Sequence, residues 1–502
     1  MLDAINTNVI AMQTQDNLNN SQASLSTSIE RLSSGLRINS ASDDPAGLAI
    51  AARMTSQLSG INQATTNANT GVSMLQTADG GLASATAILQ TMRGLAVEAA
   101  NGTNSSSDLA SLQAEMTQSQ AELQQISTTT QYNGINLIDG SLSNLQFQVG
   151  ANTGQTINFG IGTAQESAIG NNTVALTGAT GNAAGDAITE GGALAAAGSE
   201  KNNVIASTLN VEGNGATTAV TVTAGESAQS IATSVNAGTA NTGVTATASA
   251  QAVMTFTGSG NVSFNIVGTS TSPITASYSA AAGYSNVVSA INEQTGNTGV
   301  TASLGQGGIV LSNSTGANID VQNTGTAANV KVAGFTNAGA VGTAQTLTTG
   351  GTATSAVVVG GTLQFNSPNG FSTNDTTASN GLFAAAGSTG STLASVGSIN
   401  VTTTTNGTPT GANSALQIID AAIANINANR ANIGALENRF TSAASNLQTS
   451  SLNLTSSLST EQDTNFAAET TSLSRAQVLQ QAGTAMLAQA NQLPSGVLAL
   501  LR

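Results

Sequence analysis

Residues 416–458 read LQIIDAAIANINANRANIGALENRFTSAASNLQTSSLNLTSSL, and they carry a long periodic pattern. Steps of three and four residues from Leu416 to Leu458 reach thirteen positions, ten of which are apolar. Apolar residues at this spacing over six heptads predict a long helix packed against another helix as a coiled coil. Two polar exceptions, Arg430 and Glu437, lie seven residues apart on the same face. We interpret them as residues that set the register of the seam rather than as a binding site.

Shorter apolar stripes at helical spacing occur nearer both ends of the chain. The C-terminal stripe stops before Pro494 and comprises Ala476, Leu479, Gly483, Met486, Ala490 and Leu493. The N-terminal stripe comprises Leu18, Leu25, Ile29, Leu32 and Leu36, and a further stripe comprises Leu75, Leu82, Leu89 and Met92. The sequence Asp43-Asp44-Pro45 between these two stripes predicts that one helix ends and another begins there.

The terminal stripes are narrow, and the faces beside them carry Ser, Thr, Asn and Gln. Ordering the backbone of each residue costs about 1–2 kcal/mol, which a thin apolar seam does not easily offset. We therefore expect the ends of the chain to fold only when a partner covers the seam, and seams at both ends predict self-assembly. The residues expected in this assembly seam are Leu25, Ile29, Leu32, Leu36, Leu479, Met486 and Leu493.

The middle of the chain has a different composition. None of the eight arginines lies between Gly94 and Asn429, where Gly, Thr, Ser, Asn, Ala and Val form short alternating runs typical of strands and loops. The segments SIATSVN (230–236) and NTGVTA (241–246) recur 56 residues later as NVVSAIN (286–292) and NTGVTA (297–302). Each copy predicts a short helix followed by strands, with residues 253–256 and 262–266 in the first copy and 309–311 and 319–321 in the second.

Composition excludes most enzyme classes and nucleic-acid binding. The chain has no His and no Cys, so His-based catalytic groups, His or Cys zinc sites and disulfides cannot form. A formal charge of −15 with two lysines, Lys201 and Lys331, is unsuited to neutralising nucleic-acid phosphates. No apolar run approaches the roughly 18 residues of a membrane-spanning helix. We therefore expect no enzyme activity, no cofactor, no metal site and no nucleic-acid or membrane partner.

A cleavable secretory signal is not apparent at the N-terminus, which reads MLDAIN. Paired carboxylates are the remaining catalytic chemistry, and Asp43 and Asp44 are adjacent. Because they directly precede Pro45, the interpretation favoured for them is a helix cap.

Several motifs together resemble those of bacterial flagellins. They are INTN (5–8), SIERLSSGLRIN (28–39), DDPAGLAI (43–50), QYNGI (131–135), QQAG (480–483) and AQANQ (488–492). The resemblance covers about residues 1–175 and 405–502, in the same order at both ends. The repeats around Val235-Asn236 and Ile291-Asn292 are similar to the Ile-Asn motif of flagellins and hook-associated proteins.

This resemblance implies an α+β multidomain fold with long coiled-coil terminal helices and a β-rich outer insertion. Residues 1–45 and 459–502 would be the inner-tube helices. Residues 46–175 would form the N-terminal shell helices and a β-hairpin region, and residues 405–458 the C-terminal shell helix. Residues 176–404 would be the variable outer region that contains the 56-residue repeat.

The implied function is that of a structural subunit, which polymerises into the extracellular flagellar filament for swimming motility. The implied partners are further copies of the chain, the flagellar type III export apparatus, an export chaperone, and the hook-associated and cap proteins. Secretion through that export channel accounts for the missing cleavable signal.

One segment resembles the part of flagellins that contacts Toll-like receptor 5, and it matches that pattern at some positions only. Gln90, Arg93, Leu95 and Glu115 are the candidate contact residues. Thr91 and Gly94 stand where flagellins detected by this receptor usually carry Arg and Glu. The alternative interpretation is that Leu95 serves helix packing, while Arg93 and Glu115 form shell contacts between subunits.

Two alternative functions remain compatible with the sequence. A hook–filament junction protein would share the flagellin-like ends, although residues 480–502 match flagellin more closely. A flagellin shaft could instead carry an adhesin-like outer domain, because a β module rich in Ser, Thr, Gly and Asn also suits surface binding. A zinc peptidase insertion is excluded, since its H-E-x-x-H motif needs His.

Overall fold

The structure, a computed structural model, describes a large part of the chain. The described residues are 7–175, 188–190, 202, 204–267, 271–279, 283–305, 307–325, 329–334, 344–347, 356–376, 387–404 and 409–500, without the side chains of 175, 188–190, 271–272, 329 and 493–500. The chain forms two compact units. The first comprises Met1–Gln76, Asn144–Phe159 and Gly434–Arg502, and the second comprises Thr77–Ser143 and Gly160–Ile433.

Long helices occupy both ends of the chain, and strands dominate the middle. The helices are α1 (Val9–Ser34), α2 (Pro45–Ala99), α3 (Ser106–Thr129), α4 (Ala228–Ala237), α5 (Thr239–Thr242), α6 (Ser285–Glu293), α7 (Thr295–Thr298), α8 (Thr410–Gln462) and α9 (Phe466–Leu500). The strands are β1 (Gln131–Tyr132), β2 (Ile135–Asn136), β3 (Leu145–Gln148), β4 (Thr156–Phe159), β5 (Gly170–Ala175), β6 (Ile188–Glu190), β7 (Ser207–Gly213), β8 (Ala216–Val222), β9 (Thr245–Thr257), β10 (Gly260–Val267), β11 (Thr271–Tyr278), β12 (Thr301–Gly305), β13 (Gly308–Asn313), β14 (Ile319–Asn323), β15 (Asn329–Gly334), β16 (Gln345–Leu347), β17 (Ala356–Val359), β18 (Thr362–Ser367), β19 (Phe371–Asp375), β20 (Gly387–Gly390) and β21 (Thr392–Ser395). This arrangement confirms the predicted α+β class.

The helix break predicted at Asp43-Asp44-Pro45 is confirmed. The Asp44 carboxylate accepts a hydrogen bond from the Gly47 N–H at 2.8 Å, at the start of α2. The Asp43 carboxylate accepts from the backbone N–H and the hydroxyl of Ser40 and from the Asn39 N–H, which holds the pKa of Asp43 below its ordinary value. The ionised Asp43 carboxylate therefore stabilises the fold at pH values above the ordinary pKa of an aspartate. This stabilisation is lost as the pH falls through the lowered pKa of Asp43.

In the second unit, two ion pairs join α2 and α8 in an antiparallel arrangement. Arg93 Nε on α2 lies 2.7 Å from the Asp420 carboxylate on α8. Arg430 Nε on α8 lies 2.8 Å from the Asp79 carboxylate on α2. Each helix thus supplies one cation and one anion. The position of Arg430 agrees with its predicted role in setting the register of the seam.

In the first unit, the seam of α8 contains an aromatic cluster. The Phe440 ring is fully buried and meets the rings of Phe147 and Phe159 edge-on, at centroid distances of 5.5 and 5.8 Å. On α2, a Cβ atom added at Gly71 would lie 2.9 Å from Phe440 Cε1, so glycine permits this close approach. Asn67 on the same helix donates to the Gln148 carbonyl oxygen at 3.0 Å. The β3–β4 hairpin is thereby held against both helices.

The heptad pattern of α8 correctly predicts which face of the helix is buried along its length. All thirteen seam positions between Leu416 and Leu458 are buried or half-buried. The helix continues to Gln462, four residues beyond the boundary expected at 458. The residues that follow interrupt it before α9 begins at Phe466.

The β-rich part of the second unit contains three larger sheets among the described residues. Their strand orders are β12-β13-β9-β18-β5-β21, with β15 paired to β9 and β16, then β11-β10-β14-β17-β6, and β20-β19-β7-β8. The β sheets begin at β5 (Gly170–Ala175), slightly before the outer region expected from residue 176. Two buried apolar clusters lie under these sheets, one around α4 with Ile231 and Val235, the other around α6 with Val287 and Ile291.

The internal repeat folds as two copies of one unit. Each copy is a hairpin, two short helices and a strand: β7-β8-α4-α5-β9 and β10-β11-α6-α7-β12. Residues 262–266 were expected to close the first copy but lie in β10 and open the second. The reason is that β10 pairs with β11, with Phe264 opposite Ile274.

The Asn of each Ile-Asn or Val-Asn pair clamps the strand that follows. Asn236 donates to the Ala246 carbonyl oxygen at 3.0 Å and accepts from the Ala246 N–H at 2.7 Å. Asn292 makes the same two bonds to Ala302, at 2.9 and 2.7 Å. The preceding Val235 or Ile291 is buried, so the pair fixes helix, strand and core together.

Candidate assembly site on the terminal helices

Helices α1 and α9 pack antiparallel within the first unit. At one end of the pair, Asn8 Nδ2 donates to the Ala490 carbonyl oxygen at 2.8 Å. At the other end, Arg31 lies 4.0 Å from the Glu469 carboxylate. This half-exposed ion pair is long, so its contribution to stability is small.

The α1–α2 connection and the α8–α9 connection are joined by backbone hydrogen bonds. The Arg37 N–H donates to the Gln462 carbonyl oxygen at 2.7 Å, and the Thr464 N–H donates to the Gly35 carbonyl oxygen at 2.9 Å. Helix α1 ends at Ser34, before Gly35 in the left-handed conformation. Leu36, predicted on the N-terminal helical stripe, therefore lies beyond the helix and forms a β-bridge with Asp463.

The seam between α1 and α9 includes small residues. Ser28 is buried beside Leu25 on α1, and Ala476 and Ala490 are buried on α9. A Cβ atom at Gly483 would lie 3.2 Å from Leu18 Cδ1, which shows how closely the two helices approach. Larger side chains such as Leu32 and Leu487 are half-buried.

The seven residues predicted for the assembly seam fall into three groups. Leu25 is buried, and Leu32 and Leu36 are half-buried. Three are exposed, with exposed fractions of 52%, 52% and 59%: Ile29, Leu479 and Met486. The side chain of Leu493 lies outside the described residues.

Two stripes of residues run along helix α9, and both contain the small residues Ala476, Gly483 and Ala490. The buried or half-buried positions from residue 469 to residue 490 of α9 are Glu469, Thr470, Leu473, Ala476, Gln480, Gly483, Leu487 and Ala490. The stripe read from the sequence contains Ala476, Gly483 and Ala490 as well, but continues through Leu479 and Met486, which face solvent. The second stripe is thus available to another molecule.

Further apolar side chains of the pair, outside the stripes predicted from the sequence, are exposed. They are Val9, Ile10 and Met12 on α1, and Phe466 and Val478 on α9. With Ile29, Leu479 and Met486, their exposed fractions lie between 51% and 65%. A count of apolar residues on every face of each helix would have found them.

The candidate receptor residues lie on α2 and α3. Gln90, Arg93 and Glu115 are exposed. Leu95 is buried, with 8% of its surface exposed. Arg93 is engaged with Asp420, and the hydrogen bond to that carboxylate raises the pKa of Arg93.

The described part of the chain lacks two further kinds of feature, a metal-binding cluster and a membrane-spanning helix. Its His, Cys, Asp and Glu residues form no group of three that could hold a metal ion. Nor is any described helix both long and apolar enough to cross a membrane.

Comparison with known proteins identifies the family. The bacterial flagellin N-terminal helical region matches residues 5–143, and the C-terminal helical region matches residues 416–501. The B-type flagellin of Pseudomonas aeruginosa is 39% identical over 504 residues, which cover 99% of each chain. The chain belongs to the bacterial flagellin family. Flagellin from Salmonella rubislaw is 36% identical over 551 residues and covers all of both chains.

The flagellin hook IN motif matches twice, at residues 208–260 and 261–315, in agreement with the two structural repeats. FliC from Burkholderia pseudomallei is similar among solved structures, with 38% identity and a TM-score of 0.22. That match covers 33% of this chain and 64% of that chain.

Membership of the flagellin family settles the class of function. This flagellin is a structural subunit of the flagellar filament, and it is not an enzyme. It polymerises with copies of itself, and the filament is extracellular. Full-length flagellin relatives favour the filament subunit over a junction protein or an adhesin-bearing shaft.

Proposed function

We propose that this flagellin polymerises through the exposed apolar stripe of the α1–α9 pair. In the filament, residues 1–45 and 459–502 would form the inner tube, residues 46–175 and 405–458 the shell, and residues 176–404 the outer region. The observation that carries the proposal is the exposure of large apolar side chains on the two helices, beside the seam between them.

The expected energies favour a polymer over a small oligomer. Covering a half-exposed Leu, Ile or Met side chain contributes roughly 1 kcal/mol. Eight such side chains contribute about 8 kcal/mol, whereas association costs about 4–15 kcal/mol. A single contact between two subunits covers only part of this surface and is therefore weak, whereas a filament, in which each subunit has several neighbours, can cover all of it.

Serine in place of Leu479 and Met486 is expected to inhibit polymerisation without unfolding the subunit. We expect each substitution to raise the critical concentration about tenfold and the pair about a hundredfold, because each removes apolar contact in the seam. The critical concentration is measured by seeding purified subunit and pelleting the filaments, with negative-stain electron microscopy of the pellet.

The matched control replaces Gln477 and Gln489, exposed polar residues of the same helix, by serine. Its critical concentration should stay within about twofold of that of the unmodified chain. Normal filaments from the Leu479→Ser/Met486→Ser variant would contradict the proposal. A chain without residues 493–502 should likewise remain a soluble monomer.

We also propose that the subunit leaves the cell through the flagellar type III export apparatus, assisted by an export chaperone. Hook-associated and cap proteins would then contact it at the two ends of the filament. A chain with no Cys and only five Pro supports this route, because neither disulfides nor many rigid turns oppose its passage in an extended form.

A second proposal concerns Toll-like receptor 5. Contact would be made by the exposed side chains of Gln90, Arg93 and Glu115, while Leu95 is buried and serves packing. Arg93→Ala is expected to raise the effective dose of purified monomer about tenfold or more in a receptor reporter assay, because a charge-assisted contact is lost.

Asp420→Ala is the matched control for this assay, because it breaks the same ion pair but keeps Arg93. It should leave the effective dose within about twofold of that of the unmodified subunit. No signal from the unmodified subunit at saturating dose would contradict recognition. Equal losses in the two variants would indicate that Arg93 acts only by packing against α8.

A further inference from the structure

The chain holds sulfur only in methionine, since it contains no Cys. Among the methionines whose side chains the structure describes, Met12 and Met486 are exposed, at 61% and 59%. Met54 is half-buried. The others are buried, with 2% or less of their surface exposed: Met74, Met92, Met116 and Met254. Among these described methionines, solvent therefore reaches two thioethers far more easily than the others.

These two methionines lie at the same level of the terminal helix pair. Asn8 is bonded to Ala490, and Gly483 faces Leu18 across the antiparallel seam. Met12 on α1 and Met486 on α9 lie between these two contacts, within about one turn of each other along the axis. Both belong to the exposed apolar surface to which the assembly proposal assigns contact with neighbouring subunits.

We propose that Met12 and Met486 are oxidation sites that control assembly, with a peroxide as the oxidant. In the free subunit, a sulfur lone pair attacks a peroxide oxygen; the S–O bond forms as the O–O bond breaks. The second peroxide oxygen leaves as hydroxide and takes the proton of the transferred hydroxyl, so one oxygen stays on the sulfur and the other departs as water. The sulfur loses two electrons and becomes a sulfoxide, and the peroxide gains them.

The sulfoxide would keep the subunit out of the filament. Its oxygen is a strong hydrogen-bond acceptor, and placing it in an apolar contact without a donor is unfavourable. Leu479, two helical turns before Met486 on the same face of α9, is likewise exposed and offers no donor. In a finished filament the same contacts exclude peroxide, so oxidation would act on subunits before assembly. This inference rests on the proposed assembly surface.

The test treats the purified full chain with hydrogen peroxide, locates the added oxygen by peptide mass mapping, and measures the critical concentration. We expect Met12 and Met486 to be oxidised at least about tenfold faster than Met92 and Met254, with a rise of about tenfold or more in critical concentration. Methionine sulfoxide reductase with a thiol reductant should restore assembly of the same sample.

Two variants separate these sites from the other methionines. Met12→Leu/Met486→Leu keeps the apolar volume, so it should polymerise as before and be insensitive to peroxide. The matched control, Met54→Leu, should remain as sensitive as the unmodified chain. If the leucine variant assembles poorly, restoration of the oxidised unmodified chain by the reductase decides the same question.

Three results distinguish the possible failures. Oxidised subunit that polymerises at the untreated critical concentration would overturn the oxidation proposal, as would a leucine variant that peroxide inhibits equally. Intact filaments in which both methionines react as fast as in the free subunit would instead overturn the assembly surface. The treatment of preformed filaments is therefore run beside that of free subunits.

Discussion

Replacing Phe440 by alanine is expected to destabilise the first unit by about 3–5 kcal/mol. The Phe440 ring is fully buried, between the rings of Phe147 and Phe159 and the backbone of α2 at Gly71. Alanine removes these contacts and leaves a cavity. Two long helices and a short hairpin line that cavity, and the helices cannot collapse into it without bending.

The free energy of unfolding is measured by urea denaturation of the purified subunit, followed by far-ultraviolet circular dichroism. Phe466→Ala is the matched control, because the exposed fraction of Phe466, in the same unit, is 59%. We expect this control to change stability by less than about 0.5 kcal/mol. Equal losses in the two variants would show that the aromatic cluster does not hold the unit together.

Replacing Ile291 by alanine is expected to destabilise the β-rich region by about 2–5 kcal/mol. Ile291 is fully buried in the apolar cluster around α6. The neighbouring Asn292 is bonded to Ala302 and fixes the strand that follows. Truncating Ile291 therefore weakens the core and loosens the helix that positions this clamp.

Hydrogen exchange of the amides in β10 to β12 measures this local loss, and urea unfolding gives its size. Glu293→Ala, at an exposed position of the same helix, is the control and should be within about 0.5 kcal/mol of the unmodified chain. Exchange that is unchanged in Ile291→Ala would argue against the role assigned to the repeat. Destabilisation spread equally to α8 would contradict a core confined to this region.

Much of the helical part was predictable because its information is local. Ten of the thirteen positions at steps of three and four residues in 416–458 are apolar, and all thirteen are buried or half-buried. Asp44 before Pro45 caps α2, as its position in the sequence indicates. The repeated Val235-Asn236 and Ile291-Asn292 pairs likewise take equivalent places in the two copies, because both the buried residue and the clamp act within a few residues of one helix.

The assembly site was predicted only in part, because a periodic pattern shows that a face is apolar and not what covers it. Ala476, Gly483 and Ala490 belong to either of two stripes on α9. In the structure the stripe through Gln480 and Leu487 packs toward α1, while Leu479 and Met486 remain exposed. Small residues on the shared positions allow close approach from either side, so the sequence leaves the choice between stripes open.

By itself, then, the sequence determined the terminal helices, the break between α1 and α2, the repeat and the flagellin family. The tertiary structure decided that Arg430 meets Asp79, that Phe147 and Phe159 surround Phe440, and that β9 lies between β13 and β18. These contacts join residues far apart in the chain. Their choice depends on which distant side chains fit in shape and charge when the chain closes, and local periodicity does not contain that information.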